Sequence, residues 1–370
     1  MDSPDDLVLA TRTFPGPWIH GRGWDLRWLI FSAVAVPVVL AMVWMGINST
    51  LLNLGVTAIV GGPHVWSTFL ATYLDPRFRR AHWPVLVLAT IGIPAFVVFM
   101  TLHNFQLLLS IFIFAASFHV IQQNAYLVDI YRRRAGTPES PWARVIDYGL
   151  LAFCFYPIAA YKLVNDNFYL GDIQILIPAI TKTPATVWAV SLLFVFFAGA
   201  WLMKTAIEHR RGTLNVPKTL LIAVTATIAF FVPLMGSGRR LELAFQSVNT
   251  WHSIQYLAIV WIILKVRKER GLISSRFVAS IAGPGRATWK FYGICVVLAF
   301  SLFGVVTALW KADPLRLAFE QYYYMGILSA LLIHYALDGW FFTIANTQRA
   351  SKETMPYTAP AMAYAASPQA

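Results

Sequence analysis

The sequence predicts an all-α protein: a polytopic transmembrane helical bundle of about ten spans, with both termini in the cytoplasm. Three observations predict this fold. Hydrophobic residues make up 58% of the 370 residues and charged residues only 12%, which is too apolar for an ordinary soluble domain. Apolar runs long enough to cross the bilayer core recur along the chain. Basic residues cluster in the short loops after every second run, as the positive-inside rule predicts for cytoplasmic loops.

The predicted spans form one membrane domain, residues 26–346. It follows a polar cytoplasmic segment, residues 1–25, and precedes a tail rich in Ala, Pro and Ser, residues 347–370, which is typical of a disordered cytoplasmic end. The stretch from Asp172 to Pro184 is too short to span, so we expect an external or re-entrant segment there. The ten predicted spans are 26–46, 51–73, 83–101, 104–125, 145–163, 185–206, 216–236, 241–265, 288–310 and 323–346.

Charge and cysteine content narrow the class of protein. The formal net charge is +12, but the cations lie between spans, where topology explains them and a nucleic-acid partner is not needed. Arg239 and Arg240, in a predicted outer turn, are the exception. Cys154 and Cys295 fall inside apolar runs, which argues against a disulfide framework or a cysteine zinc site. We expect a multi-pass protein of the cell (inner) membrane, surrounded by lipid.

Four of the eight histidines lie inside predicted spans: His64, His119, His252 and His334. Their four spans run in the same direction, from outside to inside. At ~1.5 Å of rise per residue, each histidine lies roughly 16–22 Å from the outer end of its helix. A histidine at that depth is costly and usually marks a site. The four therefore predict one shared layer of metal ligands, although separate hydrogen bonds between helices also account for buried histidines.

Polar side chains stand three or four positions from these histidines. A ligating imidazole needs its second ring nitrogen held by a hydrogen-bonding partner. Side chains at this spacing share a helix face with the histidine, so four of them are predicted to hold the rings: Thr68, Gln122, Asn249 and Gln255. Asp338, one turn beyond His334, needs a partner of its own at such depth.

Neutral imidazoles without a thiolate suit iron, copper or zinc and disfavour calcium or magnesium. A site reached through apolar walls predicts a lipophilic small-molecule substrate, and O₂ also concentrates in the bilayer. Fe(2+) acting with O₂ on a polyene or another lipid fits these features together. Aromatic residues beside the histidines are predicted to line a substrate tunnel: Trp66, Trp251, Tyr335 and Trp340.

Two other functions stay open at this point. Paired histidines on facing helices can ligate haem b in an electron-transfer protein, although one haem leaves two histidines unexplained. Intramembrane His, Asp and Gln side chains also line the pathways of transporters, where they are strung along the membrane normal. A redox partner, if one is required, cannot be identified from the sequence.

Several of these motifs resemble the Brp/Blh family of bacterial and archaeal membrane β-carotene 15,15′-dioxygenases. Gly61-Gly62-Pro63-His64 is similar to the family's Gly-x-Pro-His, and Phe118-His119 stands where its second histidine falls. The segments from His252 to Tyr256 and from His334 to Asp338 are similar to its His-Ser-x-x-His and His-x-x-x-x-Asp stretches. The resemblance implies that the four histidines bind iron and that O₂ cleaves a polyene double bond to an aldehyde.

The chain departs from that family pattern at three positions. Tyr256 replaces the second histidine of His-Ser-x-x-His, Thr68 stands where the family has an acid, and Asn124 replaces an aspartate. Tyr256 and Asp338 are the candidate catalytic residues. These departures favour a related membrane metalloenzyme more than β-carotene itself as the substrate.

Overall fold

The computed structural model describes residues 16–136, 139–236, 241–271 and 273–352. Within those ranges the chain is almost entirely helical, with one two-stranded β-hairpin. The prediction of an all-α membrane protein is confirmed. The predicted disordered tail lies outside the described residues from 353 onwards, and helix continues through residues 347–352.

The first two spans are irregular. Each contains a short π-helical stretch, Leu26–Ile30 in the first and Thr57–Gly61 in the second. A 3₁₀ turn, Phe31–Val34, also interrupts the first span. The α-helical pieces of the two spans are α1 (Arg22–Asp25), α2 (Ala35–Trp44), α3 (Ser49–Val56) and α4 (Gly62–Thr72).

The later helices are mostly continuous. The fifth predicted span is divided at Pro157 into two helices, because a proline ring cannot continue the helix that precedes it. A 3₁₀ turn, Val232–Met235, follows α10. These helices are α5 (Pro76–His103), α6 (Phe105–Ala135), α7 (Pro141–Phe153), α8 (Pro157–Asn165), α9 (Pro184–Arg210), α10 (Val216–Phe231), α11 (Leu241–Glu269), α12 (Arg276–Ile281), α13 (Arg286–Ala312) and α14 (Phe319–Lys352).

Eight helical stretches in the described part of the chain are long and apolar enough to cross a membrane. They correspond to the predicted spans except the eighth and the tenth. The helices at those two places, α11 and α14, are 29 and 34 residues long. Both helices carry polar residues among their apolar ones, including His252, His334 and Asp338 together with several amides and carboxylates.

The expected external or re-entrant segment begins as a β-hairpin. Strands β1 (Tyr169–Leu170) and β2 (Ile173–Gln174) pair in antiparallel register, and the chain then runs to α9 without regular structure. Gly171 has φ of 60° in the turn, a conformation that glycine adopts readily. Side chains of α6 hold the hairpin: Gln106 donates to the Gln174 carbonyl, and Ser110 accepts from the Leu176 amide.

Helix α11 lies at the centre of the bundle. It is buried along most of its length and packs against the first two spans, α6 and the turn after α10. By contrast, α9 buries only Trp201 among its described residues, so most of its surface faces outward. A central α11 presents several faces to different neighbours, which allows it to contribute more than one residue to an internal site.

Charged side chains form a compact buried cluster where α6, α7, α9 and α10 meet. Asp147 lies 3.1 Å from both Lys204 Nζ and Lys218 Nζ, and 3.2 Å from Arg132 Nη2. Lys218 also contacts Glu139. Asp147 and Lys218 are fully buried. Charges at such positions need partners to be retained in a folded protein, so this buried ion-pair cluster ties four helices together.

We expect Lys218→Met to destabilise the protein, because it leaves carboxylates of this cluster short of a partner. The loss in the free energy of unfolding should be about 3 kcal/mol, typical of removing one member of a buried ion pair. Lys265→Met is the matched control. Lys265 pairs with the exposed Glu269, and such a pair contributes about 1 kcal/mol or less. Thermal unfolding in detergent compares the two variants, and equal losses would contradict the prediction.

Candidate metal centre

The structure brings the four predicted histidines together. His64 comes from α4, His119 from α6, His252 from α11 and His334 from α14, and each is at most 2% exposed. The ring centroid of His64 lies 4.4 Å from that of His334, 4.9 Å from that of His252 and 6.3 Å from that of His119. His119 lies 4.9 Å from both His252 and His334. The four rings therefore share one small volume.

Three of the four rings form the tightest set. His64, His119 and His334 each offer a nitrogen, and these atoms lie within 4.8 Å of one another. His252 packs edge-on against His64 and His119 but does not belong to that set. The structure thus divides the predicted four into three grouped ligand candidates and one flanking ring.

The nitrogens at this centre are buried without hydrogen-bond partners. They include Nε2 of His64 and His334 and both ring nitrogens of His119 and His252. A buried polar atom without a partner is costly and rare in native proteins. Several such atoms at one place fit a bound cation, since a neutral imidazole nitrogen is a common metal ligand. The residues present therefore fit a metal ion.

Two of the rings are oriented by hydroxyl groups on neighbouring helices. His64 Nδ1 lies 3.1 Å from Ser253 Oγ, and His334 Nδ1 lies 2.7 Å from Thr68 Oγ1. We assign the proton of each ring to Nδ1, which donates to the hydroxyl oxygen. The lone pair of each Nε2 then faces the centre, the arrangement in which a ligating histidine is held by its second nitrogen.

Asp338 joins the centre through a chain of hydrogen bonds. Tyr256 OH donates to Asp338 Oδ1 at 2.6 Å and lies 2.7 Å from Thr68 Oγ1. The other carboxyl oxygen, Oδ2, lies 3.6 Å from His334 Nε2 and 3.9 Å from His119 Nε2. Two ligands at ~2.1 Å from one tetrahedral ion are about 3.4 Å apart. Oδ2 is therefore placed as a further ligand or as an acceptor beside the ion.

An irregularity in the helix precedes His64. The π-helical stretch Thr57–Gly61 changes the direction of the backbone just before α4, and such bulges are frequent at functional sites. Tyr292 OH donates to the Ile59 carbonyl at 2.6 Å. Gly62 packs against α13 so closely that an added Cβ would lie 2.5 Å from Ala299 Cβ. These contacts fix the position of His64.

The four residues predicted to hold the rings differ in outcome. Thr68 bonds to the ring of His334 on α14 and not to that of His64 on its own helix. The other three do not hydrogen-bond to the rings of His119 and His252. Gln255 donates to the Leu29 carbonyl at 2.6 Å, and Asn249 donates to Gln246. Gln122 lies near Gly339.

Ser253 and Gln123 were not among the predicted site residues. Ser253 is the partner of His64, and Gln123 donates to the backbone carbonyl of His252 at 3.1 Å. Ser253 directly follows His252 in the chain, and both side chains contact His64. Recognising it requires knowing that α4 lies beside that face of α11, which sequence spacing does not give.

A large cavity, about 1100 Å³, reaches the centre. His64, His119 and His252 form part of its wall, and the remaining lining is largely apolar and aromatic. Trp66 and Tyr335 line it as predicted, and the Tyr335 ring stacks on His119 at 4.3 Å between centroids. Cavities of this size bind small organic ligands.

Two predicted tunnel residues have a different outcome. Trp251 does not line the cavity: it is 2% exposed within the main core, because it points away from the face of α11 that carries His252. The side chain of Trp340 lies outside the described residues.

The spacing of the rings does not fit haem b. A porphyrin needs clear space between its two axial imidazoles. The two rings nearest to that arrangement, His64 and His119, are 6.3 Å apart and inclined by 22°. His252 packs within 4.9 Å of both, as does His334, so the rings themselves fill the space that a macrocycle needs.

Comparison of the chain with protein-family models, curated proteins and solved structures finds no match.

We expect Gly62→Ala to disturb the centre and Gly61→Ala to leave it intact. A Cβ at Gly62 meets Ala299 Cβ at 2.5 Å and the Thr57 carbonyl at 2.9 Å, whereas one at Gly61 meets its nearest atom at 3.7 Å. The first change must push α4 away from α13 and displace His64. Metal content and thermal stability should both fall for Gly62→Ala only, and unchanged metal content in that variant would contradict the proposed packing role.

We expect Thr68→Val to weaken metal binding by about 10- to 100-fold, the range typical for removing a residue that orients a ligand. The change removes the partner of His334 Nδ1. Thr72→Val is the control, because Thr72 is also buried on α4 but its hydroxyl donates to the Thr68 backbone carbonyl. Anaerobic titration of metal-free protein with Fe(2+) measures both affinities. If the two variants bind equally well, Thr68 does not orient a ligand.

Proposed function

We propose that this protein is an integral-membrane, non-haem metal oxygenase that uses O₂ to oxidise a lipophilic substrate, with Fe(2+) as the metal. The observation that supports it most strongly is a set of three buried histidines whose nitrogens lie within 4.8 Å of one another. Asp338 lies beside them, and a largely apolar cavity opens onto two of them.

The donor set favours iron among the metals considered. Imidazole nitrogens bind Fe, Zn and Cu, whereas a mixed imidazole and carboxylate set with open positions is typical of non-haem Fe(2+) oxygenases. No thiolate is available at the centre, since neither cysteine, Cys154 or Cys295, belongs to the group of ligand atoms. Zinc and copper are the alternatives that metal analysis separates from iron.

A bound ferrous ion supplies the activation of O₂. The residues of the chain bind the substrate and orient the ligand side chains. The cavity wall takes the lipophilic substrate out of water and brings it against His64, His119 and His252. Tyr256 OH donates its proton to the hydrogen bond with Asp338 Oδ1. The other oxygen, Oδ2, is then left to face His119 and His334. Asp338 would thereby place a carboxylate oxygen beside an ion held by these histidines.

The resemblance to the Brp/Blh family supports a polyene as the substrate class. Tyr256 stands where that family has a further histidine, and its ring lies 4.6 Å from His64 between centroids. In the cleavage that the resemblance implies, each carbon of one double bond receives one oxygen atom of O₂, which gives two aldehydes. That reaction needs no external reductant.

We infer that α11 and α14 also cross the bilayer, which gives ten spans with both termini in the cytoplasm. Both helices are longer than the ~20 residues that a span needs. His252, Gln255, His334 and Asp338 on these helices are buried inside the bundle, as expected for membrane helices that build a site. The cell membrane is the proposed location.

Metal analysis of purified variants tests the function. We expect His64→Ala, His119→Ala and His334→Ala each to lose most of the bound metal, because each removes a grouped ligand. His252→Ala should retain a larger share, since His252 flanks that group. His82→Ala and His209→Ala are the controls, because both residues lie outside the cluster.

Each outcome of these metal measurements leads to a different conclusion. Iron bound in the wild type and lost in the three variants supports the proposal. Zinc or copper in the wild type would show that the metal is not iron. A haem absorption band would contradict the oxygenase proposal and support an electron-transfer function. If the purified protein retains no metal, the oxygenase proposal is wrong and a transporter function is favoured. Expression in a carotenoid-producing host then tests polyene cleavage through loss of colour.

A further inference from the structure

The cavity that reaches the histidines is chemically different at its two ends. Its inner wall contains His64, His119 and His252, whose unpartnered nitrogens face a ligand space. Its other end is lined by three carboxylic acids, Asp172, Glu242 and Glu320. Glu242 and His252 lie on one helix, ten residues apart, so about 15 Å of helical rise separates the two ends.

The acidic end is built from contacts between separate elements. Glu242 Oε1 accepts from Asn53 Nδ2 at 3.0 Å, and Oε2 accepts from the Gly171 amide at 2.8 Å. Glu242 therefore holds the β1–β2 hairpin beside α3 at the rim of the cavity. Glu320 Oε1 lies against the same glycine, 2.8 Å from where a Cβ would stand. Three elements thus bring these carboxylates to the rim.

Most polar atoms at this end are acceptors, and Tyr323 and Tyr324, which carry hydroxyls, also line the cavity. Asn53 Oδ1 is buried and has no hydrogen-bond partner, and each oxygen of the Glu242 carboxylate has a lone pair beyond the one bond that it accepts. None of the described residues that line the cavity is a lysine or an arginine. An anionic group placed here meets like charge, and a hydrocarbon end leaves acceptors without partners. A group that donates hydrogen bonds satisfies them.

We propose that the cavity binds a long-chain lipid whose single polar end donates hydrogen bonds and carries no negative charge, a hydroxyl or an ammonium group. The polar end lies against Glu242 and Glu320, and the apolar chain extends toward the imidazoles. Oxidation of this lipid rests on the proposed function, but its binding in the cavity does not require a metal. Fatty acids and anionic phospholipids are excluded, and a hydrocarbon that is apolar at both ends is disfavoured.

Photo-cross-linking tests this selectivity in protein reconstituted in lipid nanodiscs. Three probes share one alkyl chain with a diazirine near its apolar end and differ only in a terminal hydroxyl, ammonium or carboxylate. We expect the hydroxyl or the ammonium probe, or both, to label cavity residues near Trp66 and Tyr335. The carboxylate probe should label them about tenfold less, the effect of one lost charge-assisted hydrogen bond. The first two probes show which donor is preferred.

Charge reversal at the rim provides the matched test. Glu320→Lys should raise cavity labelling by the carboxylate probe about tenfold and lower labelling by the ammonium probe. Glu269→Lys is the control, because Glu269 lies at the other end of α11 and is exposed. Glu242→Gln is a second variant, with weaker labelling by the ammonium probe expected. Because Glu242 also holds the hairpin, Glu320→Lys decides the result if Glu242→Gln does not fold.

Equal cavity labelling by all three probes, or labelling confined to lipid-facing residues, would overturn the proposal. Metal content is measured on the same samples. Selective labelling without bound metal would retain this inference and remove the proposed oxygenase, whereas bound iron with unselective labelling would do the reverse.

Discussion

The structure depends on the cost of burying imidazole nitrogens without water. Inside a bundle of apolar helices, each ring nitrogen must meet a hydroxyl, a carboxylate or an ion. Ser253 and Thr68 satisfy one nitrogen of His64 and of His334. One nitrogen each of His64, His119 and His334 lies within 4.8 Å of the other two, and both nitrogens of His252 are buried beside this group without a hydrogen-bond partner. Helices α4, α6 and α14 each bring one of these three rings to the group, and α11 places His252 beside it.

Helix α11 helps to meet this requirement because its side chains hydrogen-bond to several neighbouring helices. Ser253 faces His64, Tyr256 reaches Asp338 and Thr68, and Gln255 bonds to the Leu29 carbonyl of the first span. Successive positions on one helix point in different directions, so a short segment contacts three other helices. The Leu29 carbonyl lies in a π-helical stretch, where the interrupted helical pattern leaves it open to an outside donor.

The helices and the histidine layer were predictable because hydropathy and helical rise are local properties. Apolar runs fixed the approximate spans, and residue counts placed His64, His119, His252 and His334 at similar depth. Which side chain meets which ring was not predictable, since a spacing of three or four residues gives the face of a helix but not its neighbour. Thr68 shows this: it shares a face with His64 but bonds to His334. Strands of two residues, as in the hairpin, are too short to leave a pattern.

The grouped histidines are spread over almost the whole chain, from position 64 in α4 to position 334 in the last described helix. During synthesis, early helices enter the bilayer before late ones exist. His64 and His119 are therefore synthesised long before α14, which carries His334. Loading of the proposed metal would consequently come late in biogenesis, because a chain truncated before α14 lacks one of the three grouped histidines.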